Sequence, residues 1–376
     1  MKIAIQTIID YNNYGNRLQN YALHYILQKE GHNVVSLRNE FQNPFLQKKS
    51  MYVRLVRMIK QGALFKLIGR KIENQLYHKY MKERSHNFLA FTEQYIEESK
   101  FIYTEVNNKS NELNSFDCFI IGSDQVWNYQ FPRFSSFDFL TTVKAPKISY
   151  AASFGVSSIP DKFQNFYKQN ISNINYISVR ENDGVRIINR IIPDKKVEVV
   201  LDPTLLLEKT AWIDLIEGKT FYDKKYILTY FLDEPTMQTK KYIKKIASKK
   251  NLEIRQLGTI NDLEQWIAGP SEFVNLFSQA EMVFTDSFHA CVFSIIFEKY
   301  FEVFERNTKL KSMNSRINTL ISELQVGDRW HRENIDLLNN INFVEVNKQL
   351  SKKRVESMRF LRDSIDDIQK NIESGK

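Results

Sequence analysis

Short apolar runs alternate with longer amphipathic segments from the first residue onward, as expected of buried parallel strands joined by helices. Lys2 to Thr7 reads as a strand, the loop Asp10 to Asn16 follows, and Arg17 to Glu30 reads as a helix stopped at Gly31. Asn33 to Leu37 completes a β-α-β opening. Further strands are predicted at Phe116 to Ile121, Lys147 to Ala152, Ile174 to Val179 and Val197 to Leu201. The alternation begins afresh with a strand at Tyr226 to Phe231, a helix at Met237 to Lys249, a strand at Glu253 to Leu257 and a helix at Ser271 to Gln279. Strands at Met282 to Phe284 and Lys299 to Phe304 follow, and a charged amphipathic helix from about Glu345 to Ile372 closes the chain.

This pattern predicts an α/β protein of two Rossmann-like domains facing across a cleft, the first at 1–205 and the second at 206–345. The helix within 346–376 is placed to pack back on the first domain. Ligands of such folds bind outside the carboxyl ends of the strands, so the loops there carry the candidate chemistry. The loop Asp10 to Asn16 has one glycine and no dinucleotide fingerprint. Asn13, Tyr14, Asn16 and Gln19 suit sugar hydroxyls, and an ordinary polar loop is equally allowed. In Gly122 to Asn128, Ser123, Asp124 and Gln125 offer hydrogen bonds and Trp127 an aromatic face for a sugar ring, unless this is a tight turn with Trp127 in the core. The strand ending at Val179 delivers Arg180 and Glu181 to the same edge. Arginine there forks onto a carboxylate or phosphate, or pairs with Glu181 or a neighbouring helix.

In the second half, Val283 to Ile295 passes from a strand through Thr285, Asp286 and Ser287 into a helix that is apolar almost all round. The free N–H groups and dipole at the helix start favour an anion, and His289 in its first turn is placed to donate a proton beside it. A hydrogen-bonded core histidine is the plain alternative. The loop Lys309 to Ile317 brings Lys309, Lys311 and Arg316 towards the His289 end.

Charge sharpens the picture at one place. The chain of 376 residues has a formal charge of +9, and Lys48 to Arg84, with eleven basic and two acidic residues, accounts for the whole excess. Apolar residues recur among these charges at helical spacing, which predicts a basic helical insertion at about 46–100 of the first domain. It suits an anionic membrane surface or a lipid-linked substrate, or else packs on its own domain with a solvated basic face. No groove-reading or base-stacking module accompanies it, which argues against nucleic acid. The first residues form a strand rather than a signal peptide, and no apolar run approaches bilayer length. A cytoplasmic protein is expected, with 48–84 available for peripheral contact with the inner face of the cell membrane. Cys118 and Cys291 lie in apolar runs without the spacing of a zinc or redox pair, and are expected to be packing residues.

Several short motifs then carry a resemblance. They are Asn13-Tyr14-Gly15 with Leu18-Gln19, Gly122-Ser123-Asp124 with Trp127, and Ser149-Tyr150-Ala151-Ala152-Ser153-Phe154-Gly155. Val179-Arg180-Glu181, Asp202-Pro203-Thr204 and Thr285-Asp286-Ser287-Phe288-His289 follow. In that order, from about residue 5 to residue 325, they resemble the polysaccharide pyruvyl transferase family. The resemblance implies two Rossmann-like domains arranged as in GT-B glycosyltransferases. It also implies transfer of pyruvate from phosphoenolpyruvate onto two hydroxyls of one sugar as a cyclic ketal, in the biosynthesis of bacterial exopolysaccharide or capsule. His289 and Arg180 match the family's donor-site histidine and basic residue. Family members commonly carry an arginine two positions before the histidine, where this chain has Ser287. Either Arg316 or a lysine of 309–311 stands in for it, or the donor is a different one.

The implied donor joins a carboxylate to a phosphate carrying about −1.5 to −2 charges, so several fixed cations and N–H groups are needed. Arg180, Arg316, Lys311 and the helix start at Asp286, Ser287 and Phe288 are expected to hold it. His289 is the expected acid, and Asp124 or Glu181 would accept hydroxyl protons. Asn13, Tyr14, Asn16, Gln19, Ser123, Gln125 and Trp127 would face the acceptor, a nucleotide-linked or lipid-linked sugar. No metal and no cofactor is expected, phosphoenolpyruvate being a co-substrate. Two other readings stay open: a nucleotide-sugar glycosyltransferase of the same shape, using Glu281 or Asp286, and a non-catalytic scaffold of polysaccharide assembly.

Overall fold

A computed structural model describes residues 1–45, 63–107, 111–306, 314–332 and 341–375, the side chains of 63–78 excepted. Seven parallel strands form the first sheet: β1 (Lys2–Gln6), β2 (Asn33–Asn39), β3 (Glu98–Tyr103), β4 (Cys118–Ile121), β5 (Lys147–Ala152), β6 (Tyr176–Val179) and β7 (Glu198–Val199). Their order is β3-β2-β1-β4-β5-β6-β7. Every residue of β4 and β5 is buried, because helices cover both faces, and this is why β4 reads as an unbroken apolar run. The second sheet has four parallel strands, β8 (Tyr226–Tyr230), β9 (Glu253–Leu257), β10 (Met282–Thr285) and β11 (Tyr300–Val303), in the order β11-β10-β8-β9.

Both orders reverse direction once, between β1 and β4 and between β8 and β10. Loops diverge at such points and leave a crevice at the carboxyl ends. Alternate residues of the first sheet feed two cores. Ile3, Ile5, Cys118 and Ile120 join a cluster that also contains Leu228, Phe273, Val283 and Cys291 of the second domain. Ala4, Phe119 and Ile121 join a cluster on the other face. The two domains therefore share one continuous apolar layer, and both cysteines are packing residues within it.

The helix Tyr14–Lys29 starts earlier than its apolar pattern predicts, because Asn13 caps it by accepting from Asn16 N. The strand β3 was not expected: it is an edge strand whose residues are only partly buried. Of the predicted insertion, 46–62 lies outside the described residues, Ala63–Tyr95 is one helix, and β3 occupies its end. The closing helix Phe343–Glu373 lies along the first domain. Ser357 Oγ accepts from Leu201 N at 3.0 Å, and Arg362 pairs with Glu30 at 2.7 Å.

Candidate active site

The loops after β1, β4, β5, β6 and β7 meet the start of the helix Phe288–Ile296 that follows β10. Gly122 to Asn128 leaves β4 through Asp124 at φ 75°, a left-handed conformation costly for a non-glycine residue and typical of functional sites. Backbone bonds Ser153 N to Asp124 O at 2.9 Å and Trp127 N to Ser153 O at 3.1 Å fasten this loop to the one after β5. A Cβ at Gly155, φ 62°, would stand 2.2 Å from Gln125 Oε1, so only glycine fits beside that loop.

Arg180 is the centre of the cluster. Its Nη1 lies 2.7 Å from Asp202 Oδ2 and its Nη2 3.6 Å from Asp124 Oδ1. Ser123 Oγ donates to the same Asp202 oxygen at 2.8 Å, and Asp202 Oδ1 accepts from Thr204 N at 3.0 Å and Thr204 Oγ1 at 2.6 Å. His289 Nε2 stands 3.7 Å from Asp202 Oδ2, inside ion-pair reach and beyond a hydrogen bond. Burial alone would raise Asp202, but His289, Arg180 and Thr204 outweigh it and hold the carboxyl well below the usual range. An ionised carboxylate thus faces the imidazole. On the other side of the ring, a Cβ at Gly15 would come within 2.0 Å of His289 Nδ1, so the first turn of the first-domain helix abuts it.

Phe288 lies between two arginines: the guanidinium carbons of Arg180 and Arg316 are 4.6 and 5.8 Å from its ring centroid. Arg316 comes from the helix Asn314–Glu323 and is buried. Burial and the like charge of Arg180 lower Arg316 to about 9, whereas Asp202, Asp124 and Glu181 outweigh burial at Arg180 and raise it. Arg180 Nε and Nη2, Arg316 Nε and His289 Nε2 are buried without hydrogen-bond partners. Two buried acceptors, Glu181 Oε2 and Gln19 Oε1, are in the same condition. Buried polar groups are nearly always paired, so four unpaired nitrogens at one place, three of them on arginines, make this a candidate anion site. A cavity of about 30 Å³ reaches Arg180, Asp202, Phe288 and Arg316.

Of the predicted donor residues, Arg180, Phe288 and Arg316 come together. Ser287 is buried and makes no side-chain cap to the helix. Asp286 points elsewhere: its carboxylate accepts from Leu232 N at 2.7 Å and Asp233 N at 3.0 Å, fixing the loop after β8, while burial raises it. Lys311 lies outside the described residues. Among the predicted catalytic residues, His289 and Asp124 both face this cluster, and Glu181 accepts through Oε1 from Ser153 Oγ at 2.9 Å and Phe154 N at 3.0 Å.

The acceptor expectations need correction. Trp127 is fully buried, stacks on Phe139 and donates to Asp138 O at 3.3 Å, so it has no face for a sugar. Tyr14 is also fully buried, packed on Phe273 with its hydroxyl donating to Ala268 O at 2.9 Å across the domains. Asn16 is buried and donates to Ile8 O at 2.6 Å and, at 3.4 Å, to Asp124 Oδ2, so it fastens the loop and also touches the cluster. Gln125 Oε1 accepts from Asn128, and Asn13 is the exposed helix cap. Ser123 and Gln19 remain near the cluster through Asp202 and Thr7. Asp202 carries more of the geometry than any expectation gave it. It stands at the end of a predicted strand and within a motif of the resemblance, whereas its pairing with Arg180 is long-range and leaves no local signal.

Fold and site together define an α/β protein of GT-B-like architecture, with a candidate anion site and a histidine between its two domains. The chain belongs to the polysaccharide pyruvyl transferase family, whose profile matches residues 13–307. No curated protein matches it. Among solved structures it is similar to a candidate UDP-N-acetylglucosamine 2-epimerase from Listeria monocytogenes, at 11% identity and a TM-score of 0.51, over 98% of this chain and 90% of that one. A UDP-GlcNAc 2-epimerase from Methanocaldococcus jannaschii gives 12% identity and a TM-score of 0.45, over 93% and 92% of the two chains. At such identities the likeness is one of fold. Among the described residues no helix is long and apolar enough to cross a membrane.

Proposed function

We propose that this protein transfers pyruvate from phosphoenolpyruvate onto two hydroxyls of a sugar as a cyclic ketal, in bacterial surface polysaccharide biosynthesis. The observation that carries the reading is the pair of buried arginines, Arg180 and Arg316, with unpaired nitrogens beside His289. Phosphoenolpyruvate has two anionic groups to occupy them, and its charge would offset the burial and the repulsion that lower Arg316. Arg316 then supplies the cation missing at Ser287.

His289 delivers a proton to the methylene carbon of the donor, and the adjoining carbon becomes oxocarbenium-like. One sugar hydroxyl attacks that carbon and loses its proton to Asp124 or Glu181. Phosphate leaves with the electron pair of its C–O bond and takes up the proton held by the carboxylate, and the second hydroxyl closes the ring, its proton returning to His289. Asp202 stabilises the protonated imidazole from 3.7 Å and orients Arg180 from 2.7 Å. One placed acid contributes roughly 10² to 10⁴-fold, so positioning and charge stabilisation supply the remainder.

The test is thermal unfolding with phosphoenolpyruvate beside phosphate, pyruvate and a uridine diphosphate sugar at matched ionic strength. Phosphoenolpyruvate at 100 times its dissociation constant is expected to stabilise the fold by about 2.7 kcal/mol. The gain is expected to vanish in Arg180→Ala. Stabilisation by the nucleotide sugar alone would replace this reading with glycosyl transfer.

A further inference from the structure

A crevice of about 390 Å³ opens at the carboxyl ends of β8 and β9, within the ~300–1,000 Å³ of small-molecule sites and an order of magnitude larger than the arginine cavity. Its apolar wall comes from Ile243 on the helix Met237–Lys250, Ile254 on β9 and the half-buried ring of Phe231. Around that wall stand the carboxylates of Asp233 and Glu234 and the ammonium groups of Lys240 and Lys244, with Glu234 paired to Lys240. Among the described residues lining the crevice, two negative and two positive groups leave no net charge. A phosphate or diphosphate gains little there, in contrast to the cavity lined by Arg180 and Arg316. Gln256, Thr259 and Asn261 add amides and a hydroxyl that both donate and accept. Alternating donors and acceptors over an apolar wall match a ring whose edge carries hydroxyls and whose face carries C–H groups.

One residue ties the loop beside the crevice to the helix start that carries His289. Asp286, three residues before His289, holds the backbone of Leu232 and Asp233 from one side. Phe231, Asp233 and Glu234 of that same loop line the crevice on the other. We propose that this crevice is a saccharide subsite, binding a neutral sugar residue that neighbours the one modified. The acceptor is then an oligosaccharide chain crossing the Phe231–Pro235 loop, and a free monosaccharide is a poor substrate. The proposal rests on the reading that the acceptor is a sugar.

An array of bacterial surface oligosaccharides, followed by isothermal titration of the members that bind, tests it. The component monosaccharides and UDP-N-acetylglucosamine are run alongside. The expected result is saturable oligosaccharide binding, at least tenfold tighter than for the single sugars. Thr259→Trp fills the crevice from a half-buried loop position and weakens that binding at least tenfold. Asn261→Ala weakens it severalfold and serves if the tryptophan variant fails to fold. Both variants keep the thermal response to phosphoenolpyruvate, and Arg180→Ala keeps the oligosaccharide binding. An array without a bound member, oligosaccharide affinity unchanged in both crevice variants, or displacement of the oligosaccharide by the nucleotide sugar would overturn the proposal. Oligosaccharide binding without any phosphoenolpyruvate response would overturn the donor assignment and leave the subsite standing.

Discussion

Arg84 and Arg180 are both buried, and the structure surrounds them in opposite ways. Arg84, on the helix Ala63–Tyr95, donates Nη1 to Tyr14 Oη at 2.5 Å and Trp266 O at 2.7 Å, and Nη2 to Asn12 O at 3.0 Å. It also lies over the rings of Tyr14, Phe88 and Trp266, so residues of both domains close around it. Arg180 has two carboxylates within ion-pair reach and still leaves Nε and Nη2 without hydrogen bonds. A completed shell marks a joint between domains, and an incomplete one in a buried place marks a position for a ligand. One of the eleven positive charges of the basic segment is thus part of the frame and not of a solvated face.

The contrast can be broken by substitution, and the largest effect is expected on chemistry. His289→Ala is expected to cut turnover by roughly 10² to 10⁴-fold while the thermal response to phosphoenolpyruvate persists, as followed by phosphate release with an acceptor present. Turnover at the wild-type rate would remove His289 as the acid. Next comes the joint. Arg84→Met strips donors from three oxygens, among them the buried hydroxyl of Tyr14, and is expected to cost about 3 kcal/mol in urea unfolding. A change within experimental error would show that the clasp contributes nothing.

Asp138 belongs with the completed shells, since its carboxyl accepts from Ser135 N at 2.7 Å and Gln6 Nε2 at 3.3 Å. Burial pushes it up from its ordinary 3.8 to about 7, against those hydrogen bonds. The folded state therefore binds this proton more tightly than the unfolded one. Its contribution is fully present below about pH 4 and is lost as the pH rises through about 7. Stability is expected to decline across that window by up to about 1.4 kcal/mol per pH unit, and Asp138→Asn to flatten the decline in urea titrations at a series of pH values. An unchanged slope in the variant would assign the titration to another group.

The smallest stability change is expected at the ligand position. Arg316→Met removes a cation held against Arg180, so the unliganded protein should lose nothing and gain up to about 1 kcal/mol. The roughly 2.7 kcal/mol of donor stabilisation disappears with it. A loss as large as that of Arg84→Met would place Arg316 among the structural arginines and dissolve the distinction.

The strands were legible because both sheets are parallel and covered, so each reads as a short apolar run bounded by polar turns. The strand β3 escaped, since an edge strand reading Glu98-Ser99-Lys100 has no such signature. Site legibility followed a similar rule. His289, Arg180 and Asp124 stand directly at strand ends, where chain position alone brings them to the carboxyl edge. Trp127 and Tyr14 stand in the same loops, yet local sequence does not reveal which way a large ring turns; both turned inward because each had a core to complete. Arg316 was legible from the loop that enters its helix, and Asp202 from its place at a predicted strand end, but the pairing of Asp202 with Arg180, 22 residues away in sequence, left no local trace.

The apolar layer shared by Ile3, Ile5 and Cys118 with Leu228, Val283 and Cys291 bears on how a substrate gets in. Separating the two domains would wet that layer, so a wide hinge swing is closed to this molecule as a routine movement. Admission to the arginines is left to the surrounding loops, and capture becomes a waiting process governed by how often they part. Calorimetry should accordingly find one melting transition for the whole chain, and stopped-flow should find donor association that levels off at high concentration.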